Sequence, residues 1–240
     1  MVSSSAIQPA FEVTFLTTLI PSTPAVANFP GIAVQPKPGD AREACVVVAR
    51  LPEDADKVLA LLKQLCHPQN FFIVVAIAKE EFAIEVDAPV MVAADGILAV
   101  TDQPDAIQSA LQVIRDLSSY GEIEVWFGDF CHSIRKHGPY LQAGIASDTR
   151  ENIPDLADRV CEQIKRLPGP GVIFLAIAYS AKSDDITTGE VNGILAVVAK
   201  ITHGEVIYNL FADNSLERGW LRVGILAAST VQATGEANNA

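Results

Sequence analysis

The sequence predicts an α/β protein in which a reduced parallel-sheet domain is joined by a central helix to a second α+β domain. Three observations carry this expectation. Two unbroken apolar runs, ACVVVARL and FFIVVAIA, flank a helix-period stretch, the pattern of a βαβ unit with a right-handed crossover. A long amphipathic stretch, Pro104 to Leu117, separates two halves of unlike pattern. Beyond it the order of signals is strand, helix, strand, helix, strand, strand.

The elements follow from local chemistry. Phe11–Ile20 is rich in β-branched and aromatic residues and reads as a strand. Pro21, Pro24, Pro30, Pro36 and Pro38 then remove ladder donors and fix φ, so short extended pieces are expected, with GIAVQ as an edge strand. After ACVVVARL, Pro52-Glu53-Asp54 opens a helix, since proline suits the first turn and acids there offset the helix dipole. Val58, Leu59, Leu61, Leu62 and Leu65 form its apolar stripe, and His67-Pro68-Gln69-Asn70 ends it. FFIVVAIA is the second buried strand. VDAPVMVA reads as a further strand, followed by the turn Asp95-Gly96 and the strand ILAV.

In the central helix, Ile107, Ala110, Leu111, Ile114 and Leu117 share one stripe, with Asp102 or Thr101 as the expected cap. The stretch 121–138 is a joint, with a helix over Asp129 to Lys136 stopped by Gly138-Pro139. YLQAGIAS is a strand. Asp148 or Thr149 begins the next helix, whose stripe is Leu156, Val160, Ile164 and Leu167, and Pro168-Gly169-Pro170-Gly171 stops it. GVIFLAIAYS is a buried strand, and Thr187 or Thr188 precedes a helix over Gly189 to Lys200. EVIYNLFAD and WLRVGILAAS are expected to close the fold as an adjacent pair across Asn214–Gly219. The expected organisation is therefore a domain over 1–120, a joint over 121–138, a second domain over 139–230 and a disordered polar tail over 231–240.

Composition narrows the function. The 240 residues are 50% hydrophobic and carry a net charge of −12, enough apolar content for one large core or two modest ones. A broad basic face for nucleic acid is not expected on so acidic a chain. No apolar run approaches the ~20 residues of a membrane-spanning helix, so direct membrane insertion is not expected. The N-terminal apolar patch has no basic residues ahead of it, which argues against a secretory signal and for a cytoplasmic location. Cys45, Cys66, Cys131 and Cys161 show no C-x-x-C spacing and lie in or beside apolar runs, as structural thiols do.

Taken together, the parts resemble the tubulin/FtsZ superfamily over Ala44 to Ser229. FFIVVAIAKEEFAIE resembles the strand ending in T-K-P-F-x-F-E, and VMVAADGILAV the next strand with its I-P-N-D-x-L-L turn. Pro104–Leu117 falls on the long central helix. GEIEVWFGDF falls on the synergy loop G-L-I-N-x-D-F-A-D, and YLQAGIASDTRENIPDLADRVCEQI on the M-G-x-G-x-A-x-G-x-x-R strand and helix. PGVIFLAIAYSAKSDDITTGEVNGI and EVIYNLFADNSLERGWLRVGILAAS resemble the closing strand, acidic loop, helix and strand pair. The implied fold is a truncated Rossmann-like domain, a central helix and an FtsZ-like second domain.

Departures from the family pattern set the functional expectation. The family cradles phosphate in a glycine-rich loop, G-G-G-T-G-T-G, because close backbone approach needs glycine. The matching place is Arg50-Leu51-Pro52-Glu53-Asp54-Ala55-Asp56, with no glycine and three carboxylates. The synergy loop's three polar positions fall on Glu124, Trp126 and Asp129, of which only Asp129 keeps its type. GTP binding and hydrolysis by the family route are therefore not expected, and neither is a cofactor.

Asp129, Cys131, His132 and His137 invite an enzymatic or metal reading. Yet Cys131 and His132 are neighbours that point apart on a helix, and His132 and His137 lack the i, i+4 spacing of a helical metal pair. Surface histidines and a buried thiol are the expectation, with no metal. The function expected is non-enzymatic association, with itself or with a filament-forming protein, through Glu124, Trp126, Asp129, Arg135, Asp184 and Asp185. The alternative is an enzyme or small-ligand-binding protein using the interdomain cleft, with Asp129, Glu124 and His132 as catalytic candidates.

Overall fold

The computed structural model describes residues 15–19, 44–65, 71–78, 88–119, 121–123, 125, 127–164 and 169–231. In chain order these form β1 (Phe15–Leu19), β2 (Ala44–Arg50), α1 (Ala55–Leu65), β3 (Phe71–Ala78), α2 (Ala88–Ala93), β4 (Gly96–Thr101) and α3 (Pro104–Leu117). Then come α4 (Phe127–His137), β5 (Tyr140–Thr149), a 3-10 turn (Arg150–Asn152), α5 (Ile153–Ile164), β6 (Val172–Ser180), α6 (Thr188–Val198), β7 (Glu205–Asp213) and β8 (Trp220–Ser229).

The eight strands make one sheet in the order β1-β2-β3-β4-β5-β8-β6-β7. From β1 to β5 all neighbours are parallel. β8 runs antiparallel to both β5 and β6, and β7 is parallel to β6. Period-2 alternation divides the side chains between two faces. In β3, Phe71, Ile73, Val75 and Ile77 pack on the face covered by α3 and α4, while Phe72, Val74 and Ala76 pack on the face covered by α1 and α2. In β6, Phe174, Ala176 and Ala178 join the first core, while Ile173, Leu175 and Ile177 pack with α5 and α6. Burial on both faces is why these strands are continuous apolar runs.

The first core spans both halves of the chain. Phe130 of α4 stands 5.6 Å from the ring of Phe71 on β3 and 4.7 Å from that of Phe174 on β6. The backbone connection between the halves is slight. β4 and β5 share only the register pairs Ile97↔Tyr140 and Leu98↔Leu141, and then part.

Four expectations are corrected. Residues 88–93 of VDAPVMVA form the helix α2, not a strand. Parallel strands β3 and β4 need a crossover between them, and that demand overrides the β propensity of Val90 and Val92. Only Val90 of the two is buried; Val92 is 88% exposed. Second, β7 and β8 are not adjacent, because β6 lies between them. β6 is buried at every position and needs a neighbour on each side, whereas β7 is partly exposed over Glu205–Tyr208 and suits the edge.

Third, α3 is capped at Gln103 without a side-chain bond. Asp102 is occupied by Arg50, whose Nη1 and Nη2 donate to its two oxygens at 2.6 and 2.7 Å. A cap adds about 1 kcal/mol, while each buried isoleucine or leucine of the α3 stripe adds about 1.5–3 kcal/mol, so packing decides this helix. Fourth, the chain leaves β5 through the 3-10 turn before α5 starts at Ile153. The expected edge strand GIAVQ, the helix end at His67–Asn70, Leu167 and the tail beyond Val231 lie outside the described residues.

Candidate functional site

The joint between α3 and α4 is built against β7 and β6. Asn209 of β7 closes the end of α3, its Nδ2 donating to the carbonyls of Asp116 and Ser119 at 2.8 and 2.9 Å. The chain then crosses β7. Glu122 N donates to Leu210 O at 2.8 Å, and Leu210 N donates to Ile123 O at 2.9 Å. Gly121 is required at this crossing, since a Cβ there would stand 2.1 Å from Leu210 O. The Glu122 carboxylate accepts a hydrogen bond from the Tyr179 hydroxyl at the end of β6. That bond, burial and the nearby charges of Glu122 and Asp185 push the Tyr179 phenol up to about 12. The same tyrosine thus senses the joint and the acidic loop after β6.

Arg150, just past β5, organises that loop. Its Nη1 and Nη2 donate to the carbonyls of Asp184 and Asp185 at 2.8 and 3.1 Å, which leaves both carboxylates facing solvent. Its Nε and Nη2 also pair with Glu190 at 2.7 and 2.6 Å. Glu190 completes a capping box with Thr187 at the start of α6. The Arg150 bonds, with those from Thr187, hold the Glu190 carboxyl down at about 2.

On α4, Asp129 is exposed in the first turn and His132 is exposed one turn later. Arg135 is turned back on the protein, with Nε 2.6 Å from Asp95 and its guanidinium over the Phe71 ring. Arg135 therefore fastens α4 to the turn before β4. Cys131 is buried, and burial pushes its thiol up to about 12, so it is no nucleophile at neutral pH. Glu124 and Trp126 lie outside the described residues. Among the described residues no group of three His, Cys, Asp or Glu side chains is placed to hold a metal, and no helix is long and apolar enough to cross a membrane.

Three elements went unmarked in the sequence: Glu122 with Tyr179, Arg150, and the ion-pair trio of buried Asp116 with the largely buried Arg222 and Asp213. The last had a signal. Arg222 is the only charge in the apolar run WLRVGILAAS, and a charge in such a strand needs a buried partner. It donates to both oxygens of Asp116 at 2.7 and 2.9 Å and to Asp213 at 2.6 Å, tying α3 to β8 and β7.

At the far end of the sheet, the Arg50–Asp56 stretch forms a tight turn into α1. Asp54 is 2% exposed beside the first turn of α1. Its carboxylate accepts from Lys57 Nζ at 2.7 Å and from Arg50 N at 3.3 Å. A negative group thus already stands where the helix dipole would favour an anion.

No protein-family model and no curated protein sequence matches the chain. Solved structures do. An FtsZ mutant from M. jannaschii superposes with a TM-score of 0.61 at 14% identity, over 79% of this chain and 65% of that one. CetZ2 from Haloferax volcanii, in a GTPγS-bound protofilament, gives 0.56 at 20% identity over 79% and 66%. CetZ from Methanosaeta thermophila gives 0.56 at 12% identity over 78% and 61%. The chain has the FtsZ/tubulin-like fold, and it spans less than two thirds of the length of these neighbours.

Proposed function

We propose that this chain is a non-enzymatic FtsZ-like protein, degenerate for GTP binding and hydrolysis, which acts by associating with itself or with a filament-forming partner. The observation that carries this reading is the turn before α1. A phosphate cradle needs glycine and outward-facing N–H groups. This turn instead offers Leu51, Pro52 and Glu53, with the buried Asp54 carboxylate at the helix start. A triphosphate there would face the charges of Glu53, Asp54 and Asp56. The same reading gives recognition to Asp129 on α4 and to Asp184 and Asp185, whose loop is fixed by Arg150.

Equilibrium dialysis against labelled GTP tests the first part. No retention is expected, and micromolar binding would overturn the reading. Sedimentation alone and with an FtsZ-like protein from the same cell tests the second. Pelleting or altered polymer mass is expected, and the double charge reversal Asp184→Lys with Asp185→Lys should abolish it. Both side chains are exposed, so stability should move by no more than about 0.5 kcal/mol. A parent chain that stays monomeric and leaves the polymer unchanged would sink the proposal.

A further inference from the structure

β7 is one edge of the sheet, and its outer side is open over part of its length. Glu205 N donates to Gly171 O and Asp213 O accepts from Ala181 N, so the odd-numbered residues turn their backbone groups inward. Backbone groups alternate sides along a strand, so the even-numbered residues turn theirs outward. Leu210 is met there by Glu122 and Ile123 of the joint. Val125 then packs into the first core, so the joint leaves the edge at once. Among the described residues nothing bonds to the outward N–H and C=O of Val206 and Tyr208.

The second core is also open at this edge. Among the described residues, seven partly buried apolar side chains pack against that core. Five of them, Leu195, Val197, Ile201, Val206 and Tyr208, come from α6, the turn after it and β7. The nine residues between Glu190 and Lys200 carry no charge, and Gly193, Ala196 and Ala199 are exposed among them. A helix apolar over so much of its surface is ordinarily covered. Edge strands are commonly protected by lysine, proline or a bulge. β7 has no lysine or proline, pairs with β6 without interruption, and keeps its two acids at its ends.

The size of the gap selects the occupant. It runs only from the turn at Gly204 to the crossing at Leu210, so a strand laid there must be short and must leave at both ends. A second β7 meets this condition. Set antiparallel about a two-fold at Ile207, Val206 of each copy meets Tyr208 of the other, which closes four main-chain hydrogen bonds. That register sets a β-branched side chain against an aromatic one on the α6 side, a favoured cross-strand pair. Leu210 falls opposite Gly204 of the second copy, where β7 has not yet begun, so the joint does not obstruct it. The two Glu205 side chains are four residues apart along the ladder, about 13 Å, beyond the screening length of about 8 Å.

We propose that β7 is a dimerisation edge, at which two copies of this chain pair antiparallel over 205–209 into one continuous sheet, with both α6 helices on the same side. This contact uses neither Asp129 nor the acidic loop, so it stands or falls apart from the association face.

Sedimentation velocity of the full chain over a concentration series should show a reversible monomer–dimer equilibrium. The Asp184→Lys with Asp185→Lys variant should show the same equilibrium. Val206→Pro removes an outward N–H that a single copy leaves unused, so the fold should stand while the dimer weakens about tenfold or more. Ile207→Cys reads the register, because the two residues face each other as a non-hydrogen-bonded pair with Cα atoms about 4.5 Å apart, within disulfide reach. Mild oxidation should link the copies in Ile207→Cys and not in Glu205→Cys or in the parent with its own four cysteines. This linkage carries the test if Val206→Pro does not fold. A chain that is monomeric at every concentration would overturn the proposal, as would undiminished dimerisation of folded Val206→Pro or the absence of linkage in Ile207→Cys. Oligomers of the double lysine variant that outgrow the dimer would overturn the two-fold and give this edge to β1 of the next copy.

Discussion

Asp116 is 2% exposed at the end of α3, and its carboxylate gathers Gln112 and Arg222 around it. Burial works against the charge on Arg222, but the hydrogen bonds it donates to Asp116 and Asp213 hold the guanidinium above its ordinary value. Removing one partner of such a set leaves buried charge unpaired. Arg222→Leu should therefore cost about 3–5 kcal/mol in urea unfolding, and adding Asp116→Leu should recover part of that loss. A double variant less stable than the single one would refute the argument. Cys131 belongs to the same scale. With its thiol raised to about 12, it should remain unmodified by iodoacetamide in the native protein at mildly alkaline pH and react once the chain is unfolded. Peptide mass spectrometry reads this directly, and native labelling at Cys131 would contradict its burial.

Among the elements, α6 depends on Thr187, Glu190 and Arg150 acting together, and it fixes the position of the acidic loop. The Glu190 carboxyl is depressed to about 2 in the fold against an ordinary 4.5. Its contribution is thus fully present above about pH 4.5 and is lost as pH falls toward 2. The pair is partly exposed, so that contribution is about 1 kcal/mol. Glu190→Gln should be less stable than the parent by this amount at neutral pH, and the two should converge near pH 2; a constant gap would show that the ion pair is not its source. The sequence left Thr187 and Thr188 as alternatives ahead of the helix, and the box with Glu190 selects Thr187. The error at α2 goes further. Six residues with two valines and a proline carry no decisive period, and only the parallel pairing of β3 and β4 shows that a crossover must run there.

For the molecule as a whole, the division into two domains at the joint remains a proposal that unfolding tests. β4 and β5 are joined by two register pairs, yet α3 and α4 share one core with strands from both halves. A shared core couples the halves, so urea transitions followed by far-ultraviolet circular dichroism and by tryptophan fluorescence should coincide. Two separated transitions would show that the halves fold independently. Scale also explains the candidate site. Asp129, Asp184 and Asp185 are exposed. Arg150, which fixes the Asp184–Asp185 loop, lies 34 residues from Asp184 in sequence, and the paired Glu122 and Tyr179 are 57 apart.

The sequence alone determined the buried strands, the central helix and the cluster of carboxylates over Glu53–Asp56. Each of these is a local property, set by period, propensity or charge within a short window. Only the tertiary structure decided that β6 separates β7 from β8, that Arg222 finds Asp116, that Arg150 holds the acidic loop and that β7 stands at an edge of the sheet. These depend on which strands become neighbours. A strand buried on both faces accepts many neighbours by pattern alone, and the choice among them is made by the packing of the whole core.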